Sequence, residues 1–346
     1  MSKFIEKDVL VEYDLDIELL ELLEVNVIDI IPLRKVYILV TDSGKKILKK
    51  INYSKERLDF ICICIEELKR LNNNVISFTK FKDGSYYKEW NDSIYVIMDL
   101  INGREACFSN ELEYLNASES IAKLHLSGEE AIKNICKKIN KEKKEIIDRS
   151  FIEKIEEAEE TLKEIYSFVK NYRYNNEFDD IFLNNYKEKV KNINRVKGIL
   201  LKNNYEEYYE EKNNLVICHN DLVEHNFIID DMNINLIDFD YLSIDYRVMD
   251  VANILTNGIK HIGYDFTKGM EMLKAYDEIY PLSKEEIIYV YALILFPKDF
   301  YLITKNYYFK QKRWSEEVFK NRYSQKIIED KFKLEFLEQY KEWMKN

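Results

Sequence analysis

Residues 218–226 read Cys218-His219-Asn220-Asp221-Leu222-Val223-Glu224-His225-Asn226, and Ile237-Asp238-Phe239-Asp240 follows a short distance along the chain. The first segment has the order H-x-D-x-x-x-x-N, and the second places an aspartate after an apolar run. The apolar residues on either side are typical of short strands: 215–218, 227–229 and 234–237. The pattern therefore predicts a tight loop that presents polar side chains at strand ends.

These side chains are the set that phosphoryl transfer from ATP requires. One carboxylate orients and deprotonates the acceptor hydroxyl, while an amide oxygen and a second carboxylate hold Mg²⁺ against the nucleotide phosphates. Asp221 is the candidate for the first role, and Asn226 and Asp238 are the candidates for the second. The alternative is a turn whose carboxylates only cap the backbone. The additional aspartate and the strand–loop–strand context favour the kinase-like chemistry.

Composition limits the class of protein without choosing it. The chain has 346 residues, of which 46% are hydrophobic and 33% charged, so it can bury a large core and form two lobes or domains. A net charge of -11 argues against a general nucleic-acid binder. The sequence has no obvious membrane span and no secretory signal, and its five scattered cysteines are typical of reduced thiols. These features predict a cytoplasmic protein.

The order of the predicted elements gives an α+β, two-lobed fold. Residues 1–102 are predicted to form a small, β-rich N-lobe on the nucleotide side, with helices at 16–23 and 53–71. Residues 103–346 are predicted to be helical apart from the strand–loop–strand at 218–240, with a helical insert at about 129–209. A mixed lobe followed by a helical lobe is the arrangement of the kinase architecture. The insert is rich in tyrosine, which suits either protein–protein contacts or ordinary helix packing.

The kinase architecture gives specific roles to ordinary residues of the N-lobe. In Lys46-Ile47-Leu48-Lys49-Lys50-Ile51, Lys49 follows an apolar pair as the nucleotide-binding lysine of kinases does, and it would reach the phosphates as a point charge. Its usual helix partner is a glutamate, for which Glu66 and Glu67 are the candidates. The segment 95–103 fits the connection between the lobes. There Met98 would lie behind the adenine, and the backbone from Asp99 to Ile101 would bind its edge.

One expected feature is missing. Kinase phosphate loops are rich in glycine because only glycine lets the backbone close over the phosphates at positive φ. The first glycine here is Gly44, which comes after Pro32-Leu33-Arg34-Lys35, the predicted turn between the first two strands of the N-lobe. Arg34 and Lys35 would then supply charge in place of backbone amides, or the nucleotide site would be crippled. Catalytic competence is therefore left open by the sequence.

The motif and the lobe order resemble the aminoglycoside and choline phosphotransferase branch of the protein-kinase-like superfamily, whose loop reads H-x-D-x-x-x-x-N and whose metal aspartate lies in I-D-[FW]. The chain more specifically resembles the CotS family of bacterial endospore coat proteins, from about Ile28 to Tyr340. Beyond the two segments already quoted, the resemblance is carried by Asp245-Tyr246-Arg247-Val248-Met249-Asp250, Phe296-Pro297-Lys298-Asp299-Phe300, Tyr307-Tyr308 and Trp314. The Phe-Pro-x-Asp-Phe block is not a general kinase feature and favours the coat family.

The resemblance implies a role for each matching position. Asp221 corresponds to the catalytic base, Asn226 and Asp238 to the metal ligands, and Lys49 to the lysine that contacts phosphate. It also implies structural support of the site by His219, which braces the loop, and by Asp250, which ties the following helix to that loop. His125 matches a structural helix histidine of this fold.

Two functions remain open at this point. The first is a spore coat protein with a kinase-like fold, made in the mother-cell cytoplasm and assembled with other coat proteins. It would be either catalytically inactive or an ATP- and Mg²⁺-dependent phosphotransferase. The alternative is an active aminoglycoside- or choline-type kinase unrelated to the coat. If the protein is active, the acidic residues Glu224, Asp240 and Asp245 would suit a cationic small-molecule acceptor by charge complementarity.

Overall fold

The computed structural model describes residues 15–33, 36–72, 74–211, 214–231 and 233–345, which form two compact units. Among these residues, the first unit comprises 15–106, 133–140 and 225–240, and the second comprises 107–132, 141–224 and 241–345. The first boundary lies close to the predicted one at 102. The predicted division has a single boundary, whereas in the structure two later segments, 133–140 and 225–240, also belong to the first unit.

An antiparallel sheet makes up most of the first unit, and its strand order is β1-β2-β3-β6-β4 with β5 also paired to β6. The unit contains α1 (Ile17–Glu21), β1 (Val27–Leu33), β2 (Val36–Thr41), β3 (Gly44–Ile51), α2 (Lys55–Leu71), β4 (Phe78–Thr79), β5 (Tyr87–Trp90) and β6 (Ser93–Asp99). Apart from β5, each of these elements falls within a segment whose pattern predicts it. The short β5 has little apolar alternation from which to predict it.

Turn chemistry sets the register of the first three strands. Leu33 pairs with Val36 across the β1–β2 hairpin, whose turn residues Arg34 and Lys35 lie outside the described residues. The β2–β3 turn ends at Gly44, whose φ of 111° is rarely adopted by residues other than glycine. The Thr41 hydroxyl donates a 2.5 Å hydrogen bond to the Gly44 carbonyl and closes this turn.

The two faces of β3 belong to different parts of the core. Leu48 is fully buried on one face, in a cluster with Leu39 of β2. Ile51 packs on the other face with Leu58 of α2. Because successive strand side chains alternate, this packing assigns Lys49 to the same face as Ile51, as the period-two pattern predicts.

Three short strands near the motif complete the first unit. They are β7 (Arg104–Glu105), β9 (Phe227–Asp230) and β10 (Asn233–Leu236), in the order β10-β9-β7. This pairing explains why 225–240 belongs to the first unit. Gly103 permits the close approach of β7 to β9, since a Cβ there would lie 2.3 Å from the carbonyl oxygen of Ile229. The prediction of a wholly helical chain after Gly103, apart from the motif, therefore misses β7.

The second unit is mainly helical. Among the described residues it has a two-stranded sheet that pairs β8 (Leu215–Cys218) with β11 (Ser243–Tyr246), and the sequence pattern misses β11 as it does β5 and β7. The helices are α3 (Glu111–Ile139, whose last turns belong to the first unit), α4 (Lys143–Ile146), α5 (Phe151–Val169), α6 (Glu177–Lys202), α7 (Tyr205–Glu210), α8 (Arg247–His261), α9 (Phe266–Asp277), α10 (Lys284–Leu295), α11 (Lys298–Tyr308) and α12 (Glu316–Trp343).

Tyrosine contributes much of the core of the second unit. Seven tyrosines are among its largest fully buried side chains: Tyr114, Tyr205, Tyr246, Tyr276, Tyr289, Tyr323 and Tyr340. They form ring contacts with neighbouring aromatic residues, such as the edge-on pair of Tyr205 and Tyr289 with centroids 5.0 Å apart. For these residues helix packing, rather than a protein–protein surface, accounts for the abundance of tyrosine.

One stretch of the described residues is long and apolar enough to cross a membrane by composition alone. It runs over Lys284–Tyr308 with a mean hydropathy of 1.5, whereas no membrane span is predicted from the sequence. In the structure, 67% of that window is buried within the protein, and α10 ends at Leu295 before α11 begins at Lys298. These properties are those of a buried pair of core helices.

Candidate active site

Lys49 is bonded to both aspartates of the Ile-Asp-Phe-Asp segment. Its Nζ atom lies 2.7 Å from Asp238 Oδ1 and 2.7 Å from Asp240 Oδ2, and 15% of its side chain is exposed. Burial by itself lowers the pKa of Lys49, but the Asp240 and Asp238 carboxylates outweigh it and leave the pKa raised. Lys49 is therefore a charged side chain fixed by two carboxylates of the segment that supplies the predicted metal ligand Asp238.

Asp240 lies within the first unit and anchors Lys49. The Tyr53 hydroxyl donates a 3.2 Å hydrogen bond to Asp240 Oδ1, and Arg57 Nη2 donates a 3.2 Å bond to the Asp240 carbonyl oxygen. Burial, reinforced by the negative charge of Asp240, raises the pKa of Tyr53 and keeps its proton on the oxygen. The sequence reading assigns Asp240 to the acceptor side and does not select Tyr53 or Arg57. No local pattern marks these contacts, because they join segments more than 180 residues apart.

The prediction that a glutamate of α2 pairs with Lys49 is wrong. Glu66 bonds instead to Lys138 at 2.8 Å and to Arg70 at 3.2 Å. Glu67, only 1% exposed, bonds to Arg70 and Lys138, each at 2.8 Å. Both glutamates therefore join α2 to the last turns of α3. The sequence assigns support of Lys49 to Glu66, but in the structure Asp240 bonds to Lys49 and Glu66 bonds to Lys138.

The predicted adenine segment lies along the end of β6. Met98 pairs with Ile47 of β3 and is half-buried, whereas the Asp99 carboxylate bonds to Lys46 and to the Ser77 hydroxyl. The backbone amides of Asp99 and Leu100 donate to the Ser77 and Lys45 carbonyls, at 3.2 and 3.3 Å respectively. These two amides are thus engaged within the sheet. Binding of adenine by Met98, Asp99 and Ile101 stays a prediction.

Asn226 and Asp238 both belong to the first unit. Asn226 ends a 3₁₀ turn and is 1% exposed, and its carbonyl accepts a 3.0 Å bond from the Ile237 amide, next to Asp238. Asp238 has a φ of +64°, a left-handed conformation that is uncommon for any residue except glycine and is often found at functional sites. One amide and one carboxylate supply the oxygen donors that Mg²⁺ prefers. This donor set fits the predicted metal.

In the second unit, buried hydrogen bonds to Asp250 fix the loop that carries Asp221. Its Oδ2 accepts from the His219 amide at 2.6 Å, and its Oδ1 accepts from the Asn220 amide at 2.8 Å. Asn220 has a φ of +65°, and the Asp221 amide donates to His219 Nδ1 at 3.3 Å. Asp250 and His219 therefore have the contacts expected of residues that support a loop around Asp221.

The loop has a further support that the sequence reading does not select. Asn253, one turn after Asp250 on α8, accepts from the Leu222 amide at 3.0 Å and donates to the Asn220 carbonyl at 3.1 Å. Its side chain thus bonds backbone groups on both sides of Asp221. The periodicity of α8 places Asn253 on the face of Asp250, but only the folded loop shows what it contacts.

His125, Cys218 and Asp250 form a fully buried cluster whose potential ligand atoms lie within 4.8 Å of one another. His125 bonds to Asp250 Oδ2 at 3.2 Å and to the Tyr276 hydroxyl at 2.7 Å. Burial and the nearby Asp250 raise the pKa of the Cys218 thiol, which keeps its proton on the sulfur. We interpret the cluster as a hydrogen-bonded core, in agreement with the structural role predicted for His125.

Comparison with solved structures defines the class of fold. The chain is similar to an aminoglycoside phosphotransferase from Alicyclobacillus acidocaldarius, with a TM-score of 0.78, 13% identity, and coverage of 100% of this chain and 98% of that one. Spectinomycin phosphotransferase APH(9)-Ia, in complex with ADP and spectinomycin, gives 0.66 at 11% identity, with coverage of 98% and 99%. Choline kinase LicA from Streptococcus pneumoniae gives 0.53 at 17% identity, with coverage of 96% and 99%. The predicted α+β, protein-kinase-like fold is confirmed.

A family model identifies the branch of this fold. The family described as "Spore coat putative kinase YutH" matches residues 35–340, and the chain belongs to this family. The predicted kinship with endospore coat proteins of the kinase-like superfamily is thereby confirmed. The coat family that matches is YutH, whereas the sequence segments resemble the CotS family.

Proposed function

We propose that this protein is a spore-coat-associated phosphotransferase that uses ATP and Mg²⁺ to phosphorylate the hydroxyl of a small molecule. The observation that carries the proposal is the bonding of Lys49 to Asp238 and Asp240, because it brings the predicted phosphate-binding lysine to the predicted metal-binding segment. ADP in the spectinomycin phosphotransferase structure supports a nucleotide ligand for this fold. Membership of the spore coat family supports the location.

The roles divide between the two units. In the first unit, Lys49 would contact the nucleotide phosphates, and Asn226 and Asp238 would hold Mg²⁺. When bound, the metal ion neutralises the phosphate charge that develops as ADP leaves. In the second unit, Asp221 would accept the proton of the acceptor hydroxyl. It lies on a loop whose backbone is bonded to Asp250 and Asn253.

The reaction that these roles imply is a balanced group transfer. The acceptor oxygen forms a bond to the γ-phosphorus of ATP while the bond from that phosphorus to the bridging oxygen of ADP breaks. ADP leaves with the electron pair of the broken bond, and the hydroxyl proton passes to the Asp221 carboxylate. The products are a phosphate ester, ADP and a proton that Asp221 returns to solvent.

The second candidate function is a structural coat protein without turnover. The glycine-free turn between β1 and β2 favours it, since it lacks the residues that let a backbone close over phosphates. Under this alternative the protein would dock onto other coat proteins, and the catalytic residues would remain from an active ancestor.

Calorimetry with MgATP separates the two candidates. We expect the wild type to bind MgATP, Asp238→Asn to lose the Mg²⁺ dependence of binding, and Asp221→Asn to bind ATP but lose turnover. No heat with the wild type at millimolar ATP would reject the enzyme and leave the structural protein. A fluorescent fusion in sporulating cells tests the location, and an even signal throughout vegetative cytoplasm would contradict it.

A further inference from the structure

A cavity of about 460 Å³ lies wholly within the second unit, and Asn220 and Asp221 of the proposed catalytic loop line it. Asn253 and Asn257 of α8 also line it. Ligand cavities of roughly 300–1,000 Å³ accept small molecules. The cavity is therefore the place to examine for the chemistry of the acceptor.

The ionisable side chains that line the cavity carry an excess of positive charge, although the whole chain has a net charge of -11. Five are cationic and three are acidic, which leaves two positive charges in excess. The cationic residues are Arg149, Lys154, Lys260, Lys298 and Lys333, and the acidic ones are Glu157, Asp221 and Asp299. Carboxylates just outside the lining also pair with these cations, so the ion pairs, rather than the count, decide which of them can bind a ligand.

Three of the five cations already have a close carboxylate partner. The pairs are Arg149–Glu157 at 3.0 Å, Lys154–Asp148 at 2.9 Å and Lys333–Asp330 at 2.8 Å. Ion pairs of this kind need no ligand to explain them. The remaining cations, Lys260 and Lys298, are the ones whose charge is poorly compensated.

Lys260 is held in the cavity wall with only a distant counter-charge. Its Nζ atom lies 3.9 Å from Asp299 Oδ2, a carboxylate that it shares with Lys326 at 3.6 Å, and 26% of its side chain is exposed. Burial lowers the pKa of Lys260, and the attraction of Asp299 offsets this only in part. An anion from solution would supply the missing compensation.

Lys298 is placed where a cation does not help the fold. It is the first residue of α11, and the macrodipole disfavours positive charge at a helix N-terminus. Within the described part of the chain, no ion pair involves Lys298, and its side chain lines the same cavity as Lys260. Lys260, whose nearest carboxylate is shared with Lys326, and the exposed Lys298 thus both line the cavity that contains Asp221.

The acidic residues expected to attract a cationic acceptor do not line this cavity. Asp240 bonds to Lys49 in the first unit, and Asp245 is 3% exposed and bonds to Lys154 at 3.3 Å. Glu224 accepts a 3.1 Å bond from the Phe108 amide. The cavity lining therefore lacks the carboxylates on which the expectation of a cationic acceptor rests.

We propose that the acceptor is an anionic alcohol, with a carboxylate or phosphate group that binds Lys260 and Lys298 in the cavity that also contains Asp221. This inference rests on the proposed function, since it names the class of acceptor for the same base. The shared chemistry is an oxyanion and a hydroxyl in one small molecule. Lysine recognises such an oxyanion as a point charge rather than through a fixed bidentate geometry.

Calorimetry without nucleotide tests the proposal with matched alcohols of different charge. The probes are glycerol 3-phosphate and glycerate as anions, glycerol as the neutral compound, and choline and ethanolamine as cations. We expect the anions to bind the wild type and to weaken by about tenfold or more in Lys260→Gln/Lys298→Gln, because charge-assisted contacts are lost. Lys274→Gln is the matched control, since Lys274 is exposed on α9 and does not line the cavity.

Two further measurements prevent a folding defect from imitating the result. The single variant Lys298→Gln changes an exposed side chain, and thermal unfolding of each variant should match that of the wild type. Binding of glycerol 3-phosphate should also weaken as the salt concentration rises. Preference for choline or ethanolamine, equal anion binding by the double variant, or no anion binding at millimolar concentration would each overturn the proposal.

The design also separates this inference from the proposed function. If anions bind as expected but MgATP does not, the phosphotransferase proposal fails and an anion-binding cavity remains. If MgATP binds and turns over with choline rather than with an anionic alcohol, the phosphotransferase stands and the anionic acceptor is rejected.

Discussion

Lys49 donates a 2.7 Å hydrogen bond to Asp238, although 189 residues separate the two in the chain. The contact joins β3 to the segment that follows β10, both within the first unit. Asp240 accepts a second hydrogen bond from Lys49 at Oδ2, while its other carboxylate oxygen, Oδ1, accepts from the Tyr53 hydroxyl. In this protein the lysine is thus anchored by the aspartates of the Ile-Asp-Phe-Asp segment rather than by a glutamate of α2.

Replacing Asp240 should weaken nucleotide binding. In Asp240→Asn, the half-buried Lys49 loses one of its two charged partners, and a hydrogen bond to a charged group is worth about 1.5–3 kcal/mol. We therefore expect the affinity for MgATP to fall by about tenfold or more, as measured by calorimetry.

Glu66→Gln is the matched control for this experiment. Glu66 bonds to Lys138 and Arg70, so its replacement should change MgATP affinity by less than about twofold. A large loss of affinity in Glu66→Gln, with little loss in Asp240→Asn, would restore the glutamate as the functional partner of Lys49.

The buried pair of Arg247 and Glu286 should be essential for the stability of the second unit. Arg247 bonds Glu286 through Nε at 2.7 Å and Nη2 at 2.6 Å, and its guanidinium lies 3.9 Å from the centroid of the Tyr280 ring. Glu286→Ala should lower the free energy of unfolding by about 3–5 kcal/mol, because it leaves a buried charge unpaired. Thermal or denaturant unfolding measures this change.

A double variant distinguishes the charge from the packing. Arg247→Met/Glu286→Leu removes both charges and should lose less stability than Glu286→Ala alone. If the double variant is instead the less stable of the two, the packing of the side chains rather than the ion pair dominates at this site.

Two helical glycines should respond in opposite directions to alanine. At Gly258 in α8, an added Cβ would lie 2.0 Å from ring atoms of the buried Tyr114, so Gly258→Ala should destabilise the protein by about 1–3 kcal/mol. At Gly198 in α6, nothing lies within 4 Å, so Gly198→Ala should stabilise by about 0.5–1 kcal/mol. Unfolding midpoints compare the two, and similar effects at both would contradict the close contact with Tyr114.

Asp245 should give stability a pH dependence of known sign. Burial raises the pKa of Asp245 to about 6, with Lys154 opposing it, whereas an unfolded aspartate titrates near 3.9. The native state therefore holds this proton more tightly, so the contribution of Asp245 to stability is greatest below about pH 4 and falls as the pH rises to about 6.

The comparison variant is Asp245→Asn, which cannot titrate. Between pH 4 and pH 7, the free energy of unfolding of the wild type should fall relative to that of Asp245→Asn by about 3 kcal/mol, from a shift of about two pKa units. Denaturant unfolding at four pH values measures the difference. A difference that stays constant with pH would show that Asp245 titrates normally in the folded protein.

Local pattern was sufficient wherever neighbouring residues determine the structure. The Asp42-Ser43-Gly44 turn, the alternation along β3 and the strands around His219 and Asn226 can all be read from adjacent side chains. The strands β5, β7 and β11 could not, since their sequences lack the continuous apolar run that marks β8 and β9.

The sequence by itself determined the α+β kinase-like class, the family resemblance and the identity of Lys49, Asp221, Asn226 and Asp238 as candidates, because residue type and spacing encode them. Only the tertiary structure decided that Asp240 replaces Glu66 beside Lys49 and that Lys260 and Lys298 line a cavity with Asp221. The physical reason is that charge compensation depends on distances between atoms that are far apart in the chain. Those distances exist only after folding, and no local periodicity records them.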